Sequence, residues 1–433
     1  MDTLLEPAAE TARPLAWWSG PLAWLQRQRL SRGFWVYFVA AFCFDAGFAV
    51  YFFLFNLYLL DIHFFERSIG LIGGAMTLGS VAGTLPAGAV ARRFGLRPLL
   101  VVAFIAAPAL GVLRALCVGE PAQIALAFLA GVAMCGWTVS YLPAIADLTT
   151  VENRPSAFNL VYAASIACSC LGAVVCGDLP QWLHRAGVDL QSAAIKQMIL
   201  LGSCAIAAAG LAAMLRLPRA QLAAVPADEA DASIPGLRLA KIRLSPVLLR
   251  VLPVLMVWSV VLAAFTPFAN VYLAHNLHFS LEKVGLIFAV SQGLQLCTVM
   301  SNPVLFNAFG MVRGIAFTEL ATASAMGAMA LTPNLPLSVG LYLTCSALQW
   351  MSAPGLYNLL MDHTPESERS TAAAITMFLT SLVSSGATAA AGFLFARAGY
   401  PRVPFGVAVL AAGVAALCRV FPGSERRRAT TAQ

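Results

Sequence analysis

Residues 69–97 read IGLIGGAMTLGSVAGTLPAGAVARRFGLR. From Ile69 to Ala91 the stretch carries no charge, and it then ends on Arg92, Arg93, Phe94, Gly95 and Arg97. About 20 apolar residues in a helix cross the hydrocarbon core of a bilayer, so the stretch predicts a membrane span followed by a basic loop. The chain then repeats it. At an offset of 215 residues, Ile69-Gly70-Leu71-Ile72 recurs as Val284-Gly285-Leu286-Ile287, and Phe94-Gly95 as Phe309-Gly310. In a chain of 433 residues that offset is close to half the length, which points to a duplicated membrane protein.

Composition agrees. Hydrophobic residues make up 60% of the chain and charged residues 11%, far below the roughly 25% charged of soluble domains. The solvent for most of the chain is therefore lipid. The net charge of +7 is spread through short loops, which fits membrane topology and argues against a nucleic-acid surface. The ten cysteines lie mostly in apolar runs without a C-x-x-C pair and read as small buried residues. Acidic Asp2, Glu6 and Glu10 at the start speak against a cleaved signal peptide.

Working outward, residues 1–32 form a leader with interfacial Trp17, Trp18 and Trp24 followed by Arg27, Arg29 and Arg32. Six spans follow over 33–217: Gly33–Leu60, Ile69–Ala91, 98–118, Pro121–Ala146, Ala157–Gly177 and Gln197–Leu215. Residues 218–246, acidic and then basic, read as a linker. A second six-helix half over 247–421 holds Val251–Ala274, Val284–Val312, a charge-free run Leu320–Met361 split near Pro333 and Pro336, Ser370–Ala396 and Val403–Cys418. A tail of 422–433 ends the chain. The expected fold is all-α and integral to the membrane, about twelve helices in two pseudo-symmetric six-helix bundles. Twenty of the 27 Lys and Arg fall on one side, which predicts that both termini are cytoplasmic. Further echoes support the duplication: Asp147, Thr149 and Arg154 match Asp362, Thr364 and Arg369 at 215, and Asn56, Tyr58 and Leu59 match Asn270, Tyr272 and Leu273 at 214.

The chain resembles the major facilitator superfamily over nearly its whole length. The resemblance rests on the two six-span halves, the long central loop and a degenerate motif after span two. There Gly88, Arg93, Gly95 and Arg97 match the family pattern, while Arg92 stands where the family has Asp and Leu96 where it has a basic residue. The resemblance implies a cytoplasmic gate built from Gly88, Arg92, Arg93, Gly95 and Arg97, with Asp147 as the acidic partner of Arg93 and Arg97, and Asp362, Glu366 and Glu368 facing Arg92. A plain positive-inside anchor is the alternative for Arg92. Span four lacks the arginine of many proton-coupled members, and span five has Gly172 and Gly177 without the Gly-Pro pair of many drug antiporters.

Asp45 is the sharpest polar signal. It lies near the middle of span one, where an acid costs roughly 2.5–3.5 kcal/mol on insertion scales. It is expected to bind a proton, cation or cationic group, with structural pairing as the alternative. Asn56 falls on the same face of that helix. Ser291, Gln295, Thr298 and Asn302 form a polar stripe in span eight, at positions where span two has Met76, Ser80, Gly83 and Ala87. Trp258, Thr266 and Asn270 in span seven, Gln349, Trp350, Tyr357 and Asn358 in span ten, and Trp137 and Tyr141 in span four add aromatics and polar groups suited to an amphipathic solute. Thr376, Thr380, Ser384 and Thr388 read as helix contacts. The ridge Gly79, Gly83 and Ala87 reads as a surface on which span two slides against the other half, with a static contact as the alternative. Arg114 is expected to snorkel to an interface and, like Glu319, to be structural.

No catalytic constellation stands out, so the chain does not read as an enzyme, and no cofactor or metal site is expected. His275-x-x-His278 lacks a third ligand, and a phosphate-binding G-x-x-x-x-G-K-[ST] loop is absent. The expectation is a monomeric, bacterial-type inner-membrane secondary transporter of a small organic solute, coupled to protons through Asp45 and working by alternating access. A passive facilitator, or a non-transporting sensor on the same scaffold, are the rival readings.

Overall fold

A computed structural model describes residues 30–150, 152–185, 187, 191–218, 222, 246–352, 355–357, 360, 364 and 369–418. Long apolar runs become long helices because lipid offers the backbone no hydrogen-bond partners, so each segment must satisfy its own. The N-terminal half holds α1 (Arg32–Asp61), α2 (Glu66–Phe94), α3 (Leu96–Leu116), α4 (Glu120–Asp147), α5 (Arg154–Arg185) and α6 (Ser192–Leu215). The C-terminal half begins with α7 (Pro246–Phe265), which continues through a 3-10 turn, Thr266–Phe268, a helical turn, Ala269–Val271, and a π-helical turn, Tyr272–Asn276. Then come α8 (Leu281–Met300), the short α9 (Asn302–Phe309), α10 (Met311–Leu331), α11 (Leu335–Leu348) and α12 (Arg369–Cys418).

Among the described residues, ten helices are long and apolar enough to cross a bilayer. The longest, α12, is two helices joined at Gly399, whose φ of 76° breaks the helical path. With the shorter apolar Leu335–Leu348, the crossings come to the expected twelve. The structure moves one boundary. The ninth span starts at Met311 rather than Leu320, so Arg313 and Glu319 lie inside α10, and Glu319 is fully buried. The absence of charge marked too short a segment, because a membrane helix tolerates an acid that faces other helices.

The repeat appears in the backbone. Gly95, between α2 and α3, has φ 83°, and its echo Gly310, between α9 and α10, has φ 79°. At both corners the chain reverses through a left-handed residue, which glycine adopts without a Cβ clash. A second pair of corners matches: Arg185-Ala186-Gly187 and Arg397-Ala398-Gly399 share a sequence, with φ 80° at Gly187 and 76° at Gly399. Thr149 and Thr364, equivalent at 215, each return their hydroxyl to the helix behind, to Ile145 O at 2.6 Å and Leu360 O at 2.7 Å.

Within the N-terminal half, α1 packs on α6 and α2 on α4 through small residues. A Cβ on Gly47 would lie 2.4 Å from Ser203 O, and one on Gly79 would lie 2.0 Å from Phe128 O. Gly83 likewise abuts Val132 and Cys135 of α4. The Gly79–Gly83 ridge therefore seats α2 against its own half, and the sliding-surface expectation is corrected to the static one. Arg114 also differs from expectation. It is 3% exposed, sits 4.2 Å over the Phe55 ring and reaches Met76 Sδ at 3.7 Å, so it is held by a ring face rather than snorkelling out.

Candidate functional site: two seams and a cavity

Calling the end where α1 begins basal and the end where it finishes distal, every inter-half hydrogen bond among the described residues lies between the distal end and mid-depth. Two helix pairs form the seams. Along α2 and α12, a Cβ on Gly70 would come 2.8 Å from Gly392 Cα, and one on Gly74 would come 2.8 Å from Ser385 O. Ser385 Oγ donates to Gly74 O at 2.7 Å. Along α5 and α8, a Cβ on Gly285 would come 2.3 Å from Ala173 O, and Gly177 lies against Leu281 and Glu282. Cys170 Sγ lies 3.6 Å from Ala289 O, and Gln181 donates to the Glu282 carboxylate. Gly70 and Gly285 are the two glycines of the repeated Ile/Val-Gly-Leu-Ile stretch. The echo marks the surface where the halves close on each other.

Between the seams the halves clasp through equivalent asparagines. Asn56 Nδ2 donates to Pro267 O at 2.8 Å, and Asn270 Nδ2 donates to Phe53 O at 2.7 Å. Phe53 and Pro267 are themselves 214 apart, so the pair is reciprocal. This places Asn56 and Asn270, both expected among coupling or substrate residues, in the joint between halves, with their amide donors occupied.

The polar stripe of α8 divides in two. Ser291 and Gln295 line a cavity of about 260 Å³ together with Thr266, Gln292, Ser346, Gln349, Trp350, Tyr342, Phe265 and Phe288. Gln295 Nε2 donates to Ser346 Oγ at 2.8 Å, and Thr266 and Gln349 meet at 3.5 Å. Farther toward the basal end, Thr298 Oγ1 donates to Ala347 O at 2.6 Å and Asn302 Nδ2 to Met351 O at 3.1 Å. These two fasten the α8–α9 region to the tenth span, which is the helix-contact reading. The cavity lining carries amides, hydroxyls and rings but no charged side chain.

Asp45 is not part of that lining. Half-buried on α1, it lies near Ser165 of α5 and close enough to Tyr37, Tyr141 and Cys168 to act on them electrostatically. Trp137 joins Phe44, Phe104 and Tyr141 in an aromatic cluster, with Phe44 at 4.8 Å. It packs the N-terminal half, and Trp258 is likewise buried. Thr388 Oγ1 donates to Ala263 O at 3.1 Å, a helix contact as expected.

The basal residues are arranged otherwise than the family pattern implied. Arg92 and Arg93, in the last turn of α2, are exposed, and Arg93 lies over the Phe94 ring. Gly88 sits one turn before Arg92. Arg97 donates to Leu215 O at 3.1 Å, capping α6, and the amides of Leu96 and Arg97 meet Leu222 O. Asp147 is exposed and its charged neighbour is Arg154, so it is not the partner of Arg93 or Arg97 in this conformation. Asp362, Glu366, Glu368 and Asn358 lie outside the described residues. Among the described residues, the contacts that join the two halves thus gather at the distal end and mid-depth.

Sequence reasoning missed a distal cluster. Glu66 at the start of α2 is 6% exposed; its Oε1 accepts from Tyr400 Oη at 3.1 Å and pairs with His275 Nδ1 at 2.9 Å. His275 is thus engaged by an acid. No sequence spacing links residues 66, 275 and 400.

Two closed seams, twelve crossings and a central polar cavity define an α-helical membrane transporter. The sequence profile of the Major Facilitator Superfamily matches residues 37–388, and the chain belongs to that family. Among solved structures, a mutant form of the nucleoside transporter NupG superposes with a TM-score of 0.75 at 14% identity, over 90% of this chain and 100% of that one. A D-xylose-proton symporter gives 0.69 at 16%, over 90% and 97%. A bacterial homologue of the human lysosomal transporter Spinster, inward-facing and unoccupied, gives 0.65 at 13%, over 90% and 97%. No curated protein matches the chain. The protein is an integral membrane transporter and not an enzyme.

Proposed function

We propose that the chain is a secondary active transporter of a small, uncharged, amphipathic organic solute, working by alternating access and coupled to protons through Asp45. The observation that carries this is the charge-free cavity of about 260 Å³, where Gln292, Gln295 and Gln349 supply donors and acceptors and Trp350, Phe265 and Phe288 supply apolar faces. Neutral amides and hydroxyls suit a hydroxyl- or amide-bearing ring and do not attract an ion. The names of two structural neighbours, a nucleoside transporter and a D-xylose-proton symporter, fit solutes of this kind.

Asp45 stands apart from the cavity, so its proton acts through the α1–α5 packing at Ser165 rather than by touching solute. The same separation supports a second reading, a passive facilitator. Topology completes the proposal: the basal end, where Arg92, Arg93 and Arg97 lie, faces the cytoplasm of a bacterial-type inner membrane, with both termini on that side and the monomer as the working unit.

The test is flux into vesicles of purified protein, using radiolabelled nucleosides and sugars with an imposed pH gradient. Uptake above the gradient-free level that is lost in Asp45→Asn supports coupling. Uptake indifferent to the gradient supports the facilitator, and no flux for any neutral solute overturns the substrate class.

A further inference from the structure

We propose that Glu66, held by Tyr400 and His275, is a proton-binding latch: its ionised carboxylate locks the distal seam shut and its protonation releases it. The proposal rests on the alternating-access reading but needs neither Asp45 nor the solute.

The geometry is that of a catch. Glu66 belongs to the N-terminal half, whereas His275 ends α7 and Tyr400 follows the break in α12, so both partners belong to the C-terminal half. Two donors converge on one carboxylate oxygen, and hydrogen bonds assisted by that charge weaken when the charge is lost. Glu66 O also lies where a Cβ on Gly392 would stand, at 2.5 Å, so the latch sits directly on the tightest part of the α2–α12 seam. The latch cannot stay made if the halves part at this end.

The surrounding charges leave the assignment to these three groups. Arg67, next along α2, is turned onto the Phe393 ring at 5.0 Å. Glu120 of α4 accepts from Ser68 at 2.9 Å and is occupied there. From α7 the facing group is His275, with the Tyr272 ring tilted against Tyr400 at 5.8 Å, and from α12 it is Tyr400. His275 has a side chain 56% exposed, against 8% for Glu66, so water reaches the pair from the distal side through the imidazole. A cavity of about 210 Å³ lined by Tyr272, Asn276, Ser338, Tyr400 and Pro404 gives the Tyr400 ring room to leave. His275 donates from Nδ1 either as the cation or as the neutral Nδ1–H tautomer, so its deprotonation loosens the latch without undoing it.

The test is a distance measurement across the distal end. Spin labels are placed at Val118→Cys and Leu331→Cys, exposed at 73% and 74% on opposite halves, in protein whose native cysteines are replaced and which is held in lipid nanodiscs. Between about pH 6 and about pH 3, the range in which a carboxylate ordinarily takes up its proton, the parent is expected to gain distal-separated molecules by about tenfold, the effect of weakening one or two hydrogen bonds to a charged acceptor. Glu66→Gln is expected to be separated throughout and flat with pH. Tyr400→Phe, a milder change, is expected to raise the separated fraction several-fold on the scale of one such bond while keeping the pH response. A parent without pH response, or Glu66→Gln tracking the parent, overturns the latch. If the distal pair separates in response to some other condition, the latch alone falls. If it separates under none, alternating access falls with it.

Discussion

The two distal seams are the same device made twice and used differently. Gly70 against Gly392 and Gly285 against Ala173 are equivalent steric solutions, each bringing backbones too close for any side chain. Their polar companions differ. The α2–α12 seam holds a buried carboxylate between an imidazole and a phenol, whereas the α5–α8 seam holds the more exposed Glu282 against the amide of Gln181. Closure is thus symmetric in shape and asymmetric in chemistry. A pair of halves that must rock as rigid bodies needs matching contact surfaces on both sides. It needs a switchable charge on only one.

That comparison can be broken most severely at its glycines. Gly70→Leu and Gly285→Leu each place a side chain where backbone now stands, and overpacking of this kind costs about 1–3 kcal/mol. Both are expected to shift the distal pair toward separation by about tenfold to a hundredfold, and to the same degree, in the distance measurement. Unequal shifts would mean that one seam, not two, carries closure.

Next in size is Asp45→Asn, which should remove gradient-driven accumulation of solute while leaving distal closure and membrane insertion intact. Flux measurements paired with the distances separate the two effects. Gln295→Ala should then raise the half-saturating solute concentration by about tenfold, the loss of one or two neutral hydrogen bonds, with pH dependence unchanged.

The smallest effect sharpens the symmetry. Asn56→Ala and Asn270→Ala each remove one rung of the reciprocal clasp, and hydrogen bonds inside a membrane bundle average about 0.6 kcal/mol. Each should move the distal equilibrium by about threefold, and the two should agree within error.

Much of this was legible in the residues. Duplication, span count and the equivalence of Gly70 with Gly285 and of Asn56 with Asn270 follow from recurrence, because a repeated residue at a constant offset occupies equivalent surroundings. What those surroundings are does not follow. Asn56 read as a coupling or substrate residue because it shares the helix face of Asp45; its partner proved to be a carbonyl of the other half. The ridge of Gly79 and Gly83 read as a sliding surface because small residues show only that a neighbour is close, not which one. Arg97 and Asp147 read as a pair because the family resemblance implies one, yet helix ends also attract charge. Arg97 caps α6 instead. Glu66 was passed over at a span boundary, where an acid is ordinary until His275 and Tyr400 arrive from 209 and 334 residues away.

The central claim is that closure at the distal end and opening at the basal end are one motion. It is tested by measuring both ends in the same preparation, the distal pair as above and a basal pair at Phe94→Cys and Phe309→Cys, which are repeat equivalents exposed at 57% and 58%. The account predicts that conditions which separate the distal pair, Gly285→Leu foremost, shorten the basal distance in matching proportion. A basal distance that stays fixed while the distal pair separates would contradict it.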